Sequence, residues 1–256
     1  MNKFRLKTAI ALLIAAHAHL LVSCDEAGWT GPFLEDQSPA GIYTGALQST
    51  ATTPSPNRMV TGVIGADAVV HFMIQDSFSQ YAGVVSVVGD KLSGTLTEYL
   101  GVQARFFGLD GVRSIVLDGT VSERDRLFGD YSGDDQGFFG LDYSDNYERA
   151  SSLDQASGIW TFDMASSGGA LYNVTLSIDP NGQLFGTDTN GCVFSGELSI
   201  IDSRYNAYKV IVSMSSCESI DGEYGGLAYR ADPAGSTWLY LFFANGRYAF
   251  STILSQ

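Results

Sequence analysis

The chain has 256 residues, and its 28 acidic side chains outnumber its 14 basic ones, which gives a formal net charge of −14 at pH 7. Such a charge makes nucleic acids and anionic membrane surfaces poor partners, because binding to phosphate relies on clustered Lys and Arg. Hydrophobic residues make up 45% of the chain and glycine contributes 29 residues, a composition that allows a buried core joined by many tight turns.

The N-terminal segment has the pattern of an export signal. Three basic residues, Lys3, Arg5 and Lys7, precede an apolar stretch that ends at Val22. The stretch is shorter than the about 20 apolar residues that a membrane-spanning helix needs, and its flanks are those of a signal peptide. We therefore predict that residues 1–23 are removed from the mature protein.

The signal segment ends in Leu21-Val22-Ser23-Cys24, which resembles the lipobox of bacterial lipoproteins. In that class the cysteine thiol is diacylated, the leader is cut before the cysteine, and the new amine is usually acylated. The resemblance implies lipidation at Cys24 and attachment to a membrane, because two or three acyl chains anchor a protein stably. The alternative is an ordinary signal peptide followed by an unmodified cysteine.

The residues after Cys24 bear on where an anchored protein would reside. In many bacterial lipoproteins an acidic residue next to the cysteine disfavours export to the outer membrane. Asp25 and Glu26 therefore favour the periplasmic face of the inner membrane over the outer membrane within the cell envelope. Residues 24–40 carry Gly, Pro and acidic residues without periodicity, and we predict that they form a lipidated tether.

Few side chains of the mature chain are suited to catalysis or to metal binding. Removal of residues 1–23 takes away three basic groups, so the net charge changes from −14 to −17, and His71 becomes the only histidine. A zinc site with two histidines is thereby excluded, and a Ser-His-Asp triad would have to use His71. His71 lies in the apolar run 68–74, where we favour a hydrogen-bonded structural role. We predict no enzymatic activity, no metal and no cofactor.

From Gly41 onwards, short alternating runs are separated by turns, which is typical of an all-β protein. We predict two tandem antiparallel up-and-down β-barrel or sandwich units of about eight strands each, at 41–153 and 154–256. One composite sheet is the alternative. The strands predicted in the first unit are 41–48, 59–64, 67–75, 80–88, 92–99, 113–121, 125–132 and 136–143. Those predicted in the second unit are 159–164, 170–178, 182–188, 192–200, 206–214, 220–229, 236–244 and 247–254.

The connections between these strands also carry structural signals. Asn-Gly pairs such as Asn190-Gly191 and Asn245-Gly246 lie between apolar runs and are strong hairpin signals. Consecutive hairpins favour a meander that closes on itself, because closure removes exposed edges. Between the two units we predict a further strand around 147–150 and then a short linker.

An internal repeat is indicated by three local matches that keep their order along the chain. We predict duplication of a unit of roughly a hundred residues; chance similarity between Gly- and Tyr-rich strands is the alternative. The matches are Gly41–Thr44 with Gly158–Thr161, Gly129–Gly133 with Gly222–Gly226, and Phe138–Tyr147 with Leu239–Tyr248.

The start of the second unit resembles the lipocalins. Gly158-Ile159-Trp160 is similar to the Gly-x-Trp of their first strand, and Arg247 opens the last strand, where lipocalins carry an arginine that packs near that tryptophan. The resemblance implies a lipocalin-like small barrel and, as an alternative function, a carrier of a small hydrophobic ligand.

The side chains expected inside the barrel are large, which argues against a ligand-binding cavity. An eight-stranded barrel encloses room for side chains or for one small ligand. Trp160, Phe162, Phe194 and Leu198 are large enough to fill such an interior. We therefore expect a filled barrel rather than a ligand cup.

Cys192 and Cys217 lie on or beside neighbouring predicted strands, 25 positions apart. Export permits their oxidation, and we predict a disulfide that contributes about 3 kcal/mol by closing the loop between them.

Two surface features are candidates for binding. Arg204, Tyr205 and Tyr208 lie around a predicted turn, and Arg and Tyr are typical interface anchors, so we predict a partner-facing patch; the alternative is a tyrosine packed over a barrel end. The acidic residues of the region 130–145 resemble a calcium loop or a glycosidase carboxylate pair only loosely. Solvated turn residues are the favoured interpretation of these carboxylates.

The leading functional hypothesis combines these features. We expect a non-enzymatic, lipid-anchored cell-envelope lipoprotein whose β-barrel units serve protein binding or a structural role in the envelope. We expect the partner of these units to be a protein of the cell envelope.

Overall fold

The computed structural model forms two closed antiparallel β-barrels of eight strands each, which confirms the predicted all-β fold. Each barrel is an up-and-down meander, because consecutive strands of the chain are neighbours in the barrel wall. The structure describes residues 35–50, 57–75, 79–100, 112–165, 171–232 and 235–256. The predicted signal peptide and Cys24 lie outside the described residues.

The strand boundaries agree with the sequence pattern to within two residues. The first barrel consists of β1 (Gly41–Ser49), β2 (Arg58–Ile64), β3 (Val69–Ile74), β4 (Gln80–Val88), β5 (Lys91–Tyr99), β6 (Val112–Ser122), β7 (Arg126–Gly133) and β8 (Gly137–Ser144). The second barrel consists of β9 (Gly158–Ala165), β10 (Leu171–Ile178), β11 (Gln183–Asp188), β12 (Val193–Ile200), β13 (Tyr208–Ser215), β14 (Gly222–Ala231), β15 (Trp238–Ala244) and β16 (Ala249–Ser255).

Each barrel has its own core. Side chains alternate between the interior and the outer wall along a strand, and in both barrels every strand contributes buried apolar side chains to the interior. Burial of one large apolar side chain contributes about 1.5–3 kcal/mol. Tyr43, Phe72 and Leu117 are examples in the first core, and Trp160 and Leu198 in the second.

Glycines within the strands allow the walls to approach closely. A Cβ atom on Gly45 would lie 2.0 Å from the carbonyl oxygen of Gly140, and one on Gly226 would lie 1.8 Å from that of Phe242. Such contacts are impossible for any residue with a side chain. These positions therefore require glycine for the strands to bend around so small a barrel.

The two barrels begin with the same local arrangement. Tyr43 and Trp160 are completely buried near the starts of β1 and β9. Tyr43 Oη donates a hydrogen bond to the carbonyl of Pro39 at 3.0 Å, and Trp160 Nε1 donates one to the carbonyl of Ala156 at 2.8 Å. In both cases the acceptor lies four residues earlier in the chain.

The two other repeat matches are displaced. Gly129–Gly133 lies on β7 and Gly222–Gly226 on β14, although β7 corresponds by strand order to β15. The match of Phe138–Tyr147 with Leu239–Tyr248 likewise joins β8 to β15 rather than to β16. These parts of the predicted alignment are wrong by one strand, because glycine- and tyrosine-rich strands resemble one another locally.

The connection between the barrels is helical, so the strand predicted around 147–150 is wrong. A 3₁₀ turn spans Asp145–Glu148 and a short α-helix spans Leu153–Ala156. Ser144 and Ser152 precede these elements, and their side-chain oxygens accept backbone N–H bonds. Such capping satisfies donors that a helix leaves free at its start, a signal that the apolar pattern does not contain.

The barrels pack side by side. Strand β15 lies against β3, β14 against β2, and β16 against β4. We call the buried contact between them the barrel junction. The alternative of one composite sheet is excluded, since each sheet closes on itself. The fully buried apolar residues of the junction are Ile42, Val63, Met73, Tyr147, Ala207, Leu227, Tyr229 and Phe242.

Both barrels start at the same end of the molecule. Tyr147, just before β9, stacks on Tyr205 in the β12–β13 connection, with 4.9 Å between ring centroids. At the opposite end, Tyr99 at the end of β5 is hydrogen-bonded to the backbone of Gly246 in the β15–β16 turn. We call the end where β1 and β9 begin the near end, and the opposite one the far end.

The last residues of the predicted tether are attached to the near end of the first barrel. Gln37 N donates to the carbonyl of Gly89 at 2.8 Å, and Asp36 Oδ1 accepts from Gly89 N at 2.6 Å. Gln37 Oε1 accepts from Glu123 N at 2.9 Å. Residues 35–40 are therefore held on the β4–β5 and β6–β7 turns before the chain enters β1.

Candidate functional site

The structure separates the three residues predicted to face a partner. Arg204 is exposed and pairs with Asp202, with 2.6 Å between Nη2 and Oδ2, and hydrogen bonds from Arg204 lower the pKa of that carboxyl to about 2. Tyr205 is half-buried against Tyr147 in the barrel junction. Tyr208 is completely buried in the second core, where its hydroxyl donates to the carbonyl of Ser152.

Tyr208 therefore cannot contact a partner, and its inclusion in the predicted patch is wrong. It points inward because it occupies an interior position of β13, in alternation with the exposed Lys209. Only Arg204 among the three lies mostly in solvent.

The near end of the junction carries a group of aromatic and charged side chains that links the barrels. Tyr147 lies edge-to-face with Tyr143, with 6.2 Å between centroids. Arg124 pairs with Glu148 at 3.2 Å, and Tyr143 donates a hydrogen bond to the same carboxylate. Burial raises the pKa of Tyr147 to about 12. These contacts join turns of the first barrel to the connection and to Tyr205.

Asn206 holds the connection against the second barrel. Its Nδ2 donates to the carbonyls of Asn146 at 3.1 Å and of Arg230 at 2.6 Å, and its Oδ1 accepts from Arg230 N at 3.1 Å. The side chain is only 3% exposed. Sequence reasoning missed this residue, since nothing in Tyr205-Asn206-Ala207 distinguishes it from an ordinary turn asparagine.

A polar layer lies inside the apolar junction. His71 and Gln80 are both buried, and Gln80 Nε2 lies 2.7 Å from His71 Nδ1. The amide nitrogen can only donate, so His71 accepts and is neutral. Burial lowers the pKa of His71 to about 4. On the neighbouring strands, the hydroxyls of Thr61 and Tyr229 bond across the junction at 3.2 Å. The layer fixes the barrels in one register.

Five side chains, which we call the ion plug, close the far end of the first barrel. Arg58 lies between two carboxylates, 3.4 Å from Glu98 and 3.0 Å from Asp135. Tyr81 donates to Glu98 at 3.0 Å and Tyr131 donates to Asp135 at 3.0 Å. All five project from the interior faces or the end turn of the barrel, above its apolar core.

The electrostatics of the ion plug favour the charged forms of Arg58 and Asp135. Burial alone would lower the pKa of Arg58, but the surrounding Tyr81, Tyr131 and Glu98 raise it. Partial burial opposes ionisation of Asp135, whereas the hydrogen bond from Ser49 and others lower its pKa. Because both carboxylates are engaged by Arg58 and by a tyrosine, the arrangement favours a structural seal over acid–base chemistry.

A covalent bond holds the far end of the second barrel. Cys192 and Cys217 form the predicted disulfide, with 4.5 Å between their Cα atoms. It connects the turn after β11 with the segment after β13, and Cys192 is buried in the core. The far end of one barrel is thus held by ion pairs and that of the other by a disulfide.

The first barrel has little free space inside. Its interior contains a cavity of about 20 Å³ lined by apolar side chains that include Leu47, Phe72 and Phe139. Such a volume accommodates about one water molecule. In the second barrel, Trp160, Phe194 and Leu198 are buried in the core as expected, whereas Phe162 is only partly buried against it.

The arginine contact implied by the lipocalin resemblance does not form. Arg247 lies over the ring of Tyr248 at 5.0 Å, in the far-end turn before β16. Trp160 is at the near end, beside Thr161, which pairs with Ser255 at the other end of β16. The two residues therefore lie at opposite ends of the barrel.

The carboxylates of the region 130–145 do not form a common site. Asp135 belongs to the ion plug, and Asp134 lies 3.6 Å from Arg113. Asp142 faces outward opposite Arg126. Within the part of the chain that the structure describes, no three His, Cys, Asp or Glu side chains converge as metal ligands.

Comparison with protein families, with curated proteins and with solved structures finds no match to this chain. In the described ranges no helix has both the length and the apolar character needed to cross a membrane.

Proposed function

We propose that this chain is a non-enzymatic cell-envelope lipoprotein, anchored through lipid on Cys24, that presents the far ends of its two barrels to a protein partner. One observation carries the proposal. Residues 35–40 attach at the near end, while the ion plug and the disulfide fix the far ends. The proposal therefore assigns attachment to the near end and presentation to the far end of the two barrels.

The small free volume inside the first barrel and the large side chains buried in the core of the second, such as Trp160 and Phe194, support presentation over the alternative role of a carrier. Pockets for small ligands typically measure about 300–1,000 Å³, whereas the interior of the first barrel offers about 20 Å³. Native mass spectrometry of the exported, soluble Cys24→Ala protein tests the choice. We expect the bare polypeptide, lighter by the two hydrogens of one disulfide. An added mass that leaves on denaturation would favour the carrier.

The anchor is tested by fractionation. We expect the wild-type protein in the membrane fraction and the Cys24→Ala protein in the soluble periplasmic fraction, because the acyl chains supply the attachment. Replacement of Asp25 and Glu26 by serine should move the anchored protein from the inner to the outer membrane. Retention of Cys24→Ala in the membrane fraction would overturn lipid anchoring.

Photo-cross-linking from two matched turn positions, one at each end of the second barrel, tests for the protein partner. Asn181 lies in the near-end turn between β10 and β11, and Asn190 in the far-end turn between β11 and β12; both are exposed and form the same turn on a preceding aspartate. A photoreactive residue at position 190 should give a discrete cross-linked envelope protein, and one at 181 should not. Equal patterns, or none from either position, would contradict presentation at the far end.

A further inference from the structure

The two barrels close in different ways. In the first barrel β1 pairs with β8 along the whole strand, from Ile42↔Ser144 to Ser49↔Gly137. In the second, β9 and β16 share only the pair Thr161↔Ser255, at the near end. We call the boundary between β9 and β16 the seam. From that pair towards the far end, the two strands do not continue their ladder.

Hydrogen bonds at its ends show which groups of β16 face the seam. Gln256 N donates to the carbonyl of Thr237, and the carbonyl of Tyr248 accepts from Asn245 N. Even-numbered residues of β16 therefore direct their backbone N–H and C=O groups towards β15. Since direction alternates along a strand, the N–H and C=O groups of Ala249, Ser251 and Ile253 point into the seam.

The same reasoning applies to β9. Asn173 accepts a hydrogen bond from Thr189 N, so its backbone groups face β11. The next residue, Val174, faces β9 and pairs with Phe162. The backbone groups of Asp163 and Ala165 consequently point into the seam, where the ladder would continue as Asp163↔Ile253 and Ala165↔Ser251, pairs that are not formed.

The β16 side of the seam lacks the features that normally protect a strand edge. Exposed edges usually carry Lys, Pro or other charged residues that prevent pairing with another chain. The sequence of β16 is Ala-Phe-Ser-Thr-Ile-Leu-Ser, without charge or proline. An edge of this kind favours pairing with a further strand.

We propose that the seam is a docking site for an extended segment of the partner protein, which adds to β16 as a strand of the second barrel. Backbone donors and acceptors that alternate at strand spacing complement another extended backbone, and neither a lipid chain nor a compact ligand offers that pattern. The inference rests on the proposed function, which supplies a protein partner, and it names the mode of recognition.

Hydrogen exchange of the soluble Cys24→Ala protein tests the free seam. We expect amides of Ala249, Ser251 and Ile253 to exchange roughly a hundredfold faster than those of β8, which are covered on both sides. Equal protection of β16 and β8 would mean that the seam is sealed in solution and would overturn the proposal.

A peptide of residues 136–144 serves as the probe, because β8 covers β1 and β1 is the counterpart of β9. The peptide should protect the amides of β9 and β16 from hydrogen exchange but not those of β1. The same peptide with Leu141 replaced by proline should protect neither, because it cannot extend a ladder. If the unmodified peptide protects neither strand, the proposal fails.

A variant pair tests the edge itself. Ala249→Pro removes one N–H from the seam at the first residue of a strand, where proline is tolerated, and should weaken peptide binding at least tenfold. Ala249→Val retains the N–H and should bind within twofold of wild type. Equal binding by both variants would contradict strand addition.

The outcomes separate the two proposals. Specific cross-links from position 190 without peptide binding would support presentation at the far end and contradict strand addition at the seam. Peptide binding without any envelope cross-link would support strand addition at the seam and contradict presentation of the far ends to an envelope protein. Dimerisation that Ala249→Pro abolishes would identify a second copy of this chain as the occupant and overturn the assignment to another protein.

Discussion

At the residue scale, His71 makes the stability of the fold depend on pH. Its pKa falls from about 6.5 in the unfolded chain to about 4 in the junction, because burial disfavours the charged imidazolium. Between these values the unfolded state binds the proton and the folded state does not. The free energy of unfolding should therefore decrease as the pH is lowered from 6.5 to 4, by about 3 kcal/mol in total.

Urea unfolding at a series of pH values measures this effect, with His71→Gln as the control. Glutamine does not titrate, so the variant should lose less stability than wild type over this window. If both proteins lost stability equally between pH 6.5 and 4, the assignment to His71 would be wrong.

Asn206 provides a second prediction at this scale. Asn206→Ala should lower the free energy of unfolding by about 2–4 kcal/mol, because the Asn146 carbonyl and the Arg230 N–H lose their bonds to Asn206, and the Arg230 carbonyl keeps only its bond from Asn146 Nδ2. Asn190→Ala, in an exposed turn, should change stability by about 0.5 kcal/mol or less. Similar denaturation midpoints for the two variants would contradict the clamping role of Asn206.

At the scale of one strand, two adjacent glycines of β14 differ in what surrounds them. A Cβ atom on Gly226 would meet the carbonyl oxygen of Phe242 at 1.8 Å, whereas one on Gly225 would have no atom within 4 Å. Gly226→Ala should destabilise the protein by at least about 3 kcal/mol, since β14 and β15 would have to separate. Gly225→Ala should have little effect. Thermal unfolding of the two variants, followed by circular dichroism, compares them directly.

The elements also show what sequence patterns can and cannot predict. The positions of the strands could be predicted because period-two alternation and Asn-Gly turns are local signals, as in the β15–β16 hairpin around Asn245-Gly246. The helical connection at 145–156 could not be predicted in the same way, because its helical turns depend on caps and on contacts with Asn206. The burial of Trp160, Phe194 and Leu198 in the second core followed from the size of these side chains, and the disulfide followed from the position of its two cysteines near neighbouring strands.

The candidate site was harder to predict than the fold. The patch around Arg204 included Tyr208, because a single alternating strand does not reveal which of its faces is inside. Arg58 and Asp135 lie far apart in the chain, and only closure of the barrel brings them together. The seam between β9 and β16 likewise depends on how the last strand meets the first, which no local pattern specifies.

At the scale of the whole molecule, the junction should make both barrels unfold together. Phe242 is completely buried there, on the outer wall of β15. Phe242→Arg places a charge in that contact, so calorimetry should show two unfolding transitions where wild type shows one. Phe185→Arg on the exposed wall of β11, where Phe185 is 58% exposed, should leave one transition. A single transition for Phe242→Arg would argue against coupling through the junction.

The attachment of residues 35–40 determines how the molecule bears a pulling force at its N-terminus. Tension first reaches Asp36 and Gln37, whose hydrogen bonds hold the turns at Gly89 and Glu123. Once these bonds rupture, the force runs along β1, which is paired with β2 on one side and β8 on the other. Both ladders are then sheared, with hydrogen bonds perpendicular to the load. A load applied at the N-terminus is therefore borne first by the contacts of residues 36 and 37 and then by the two ladders of β1.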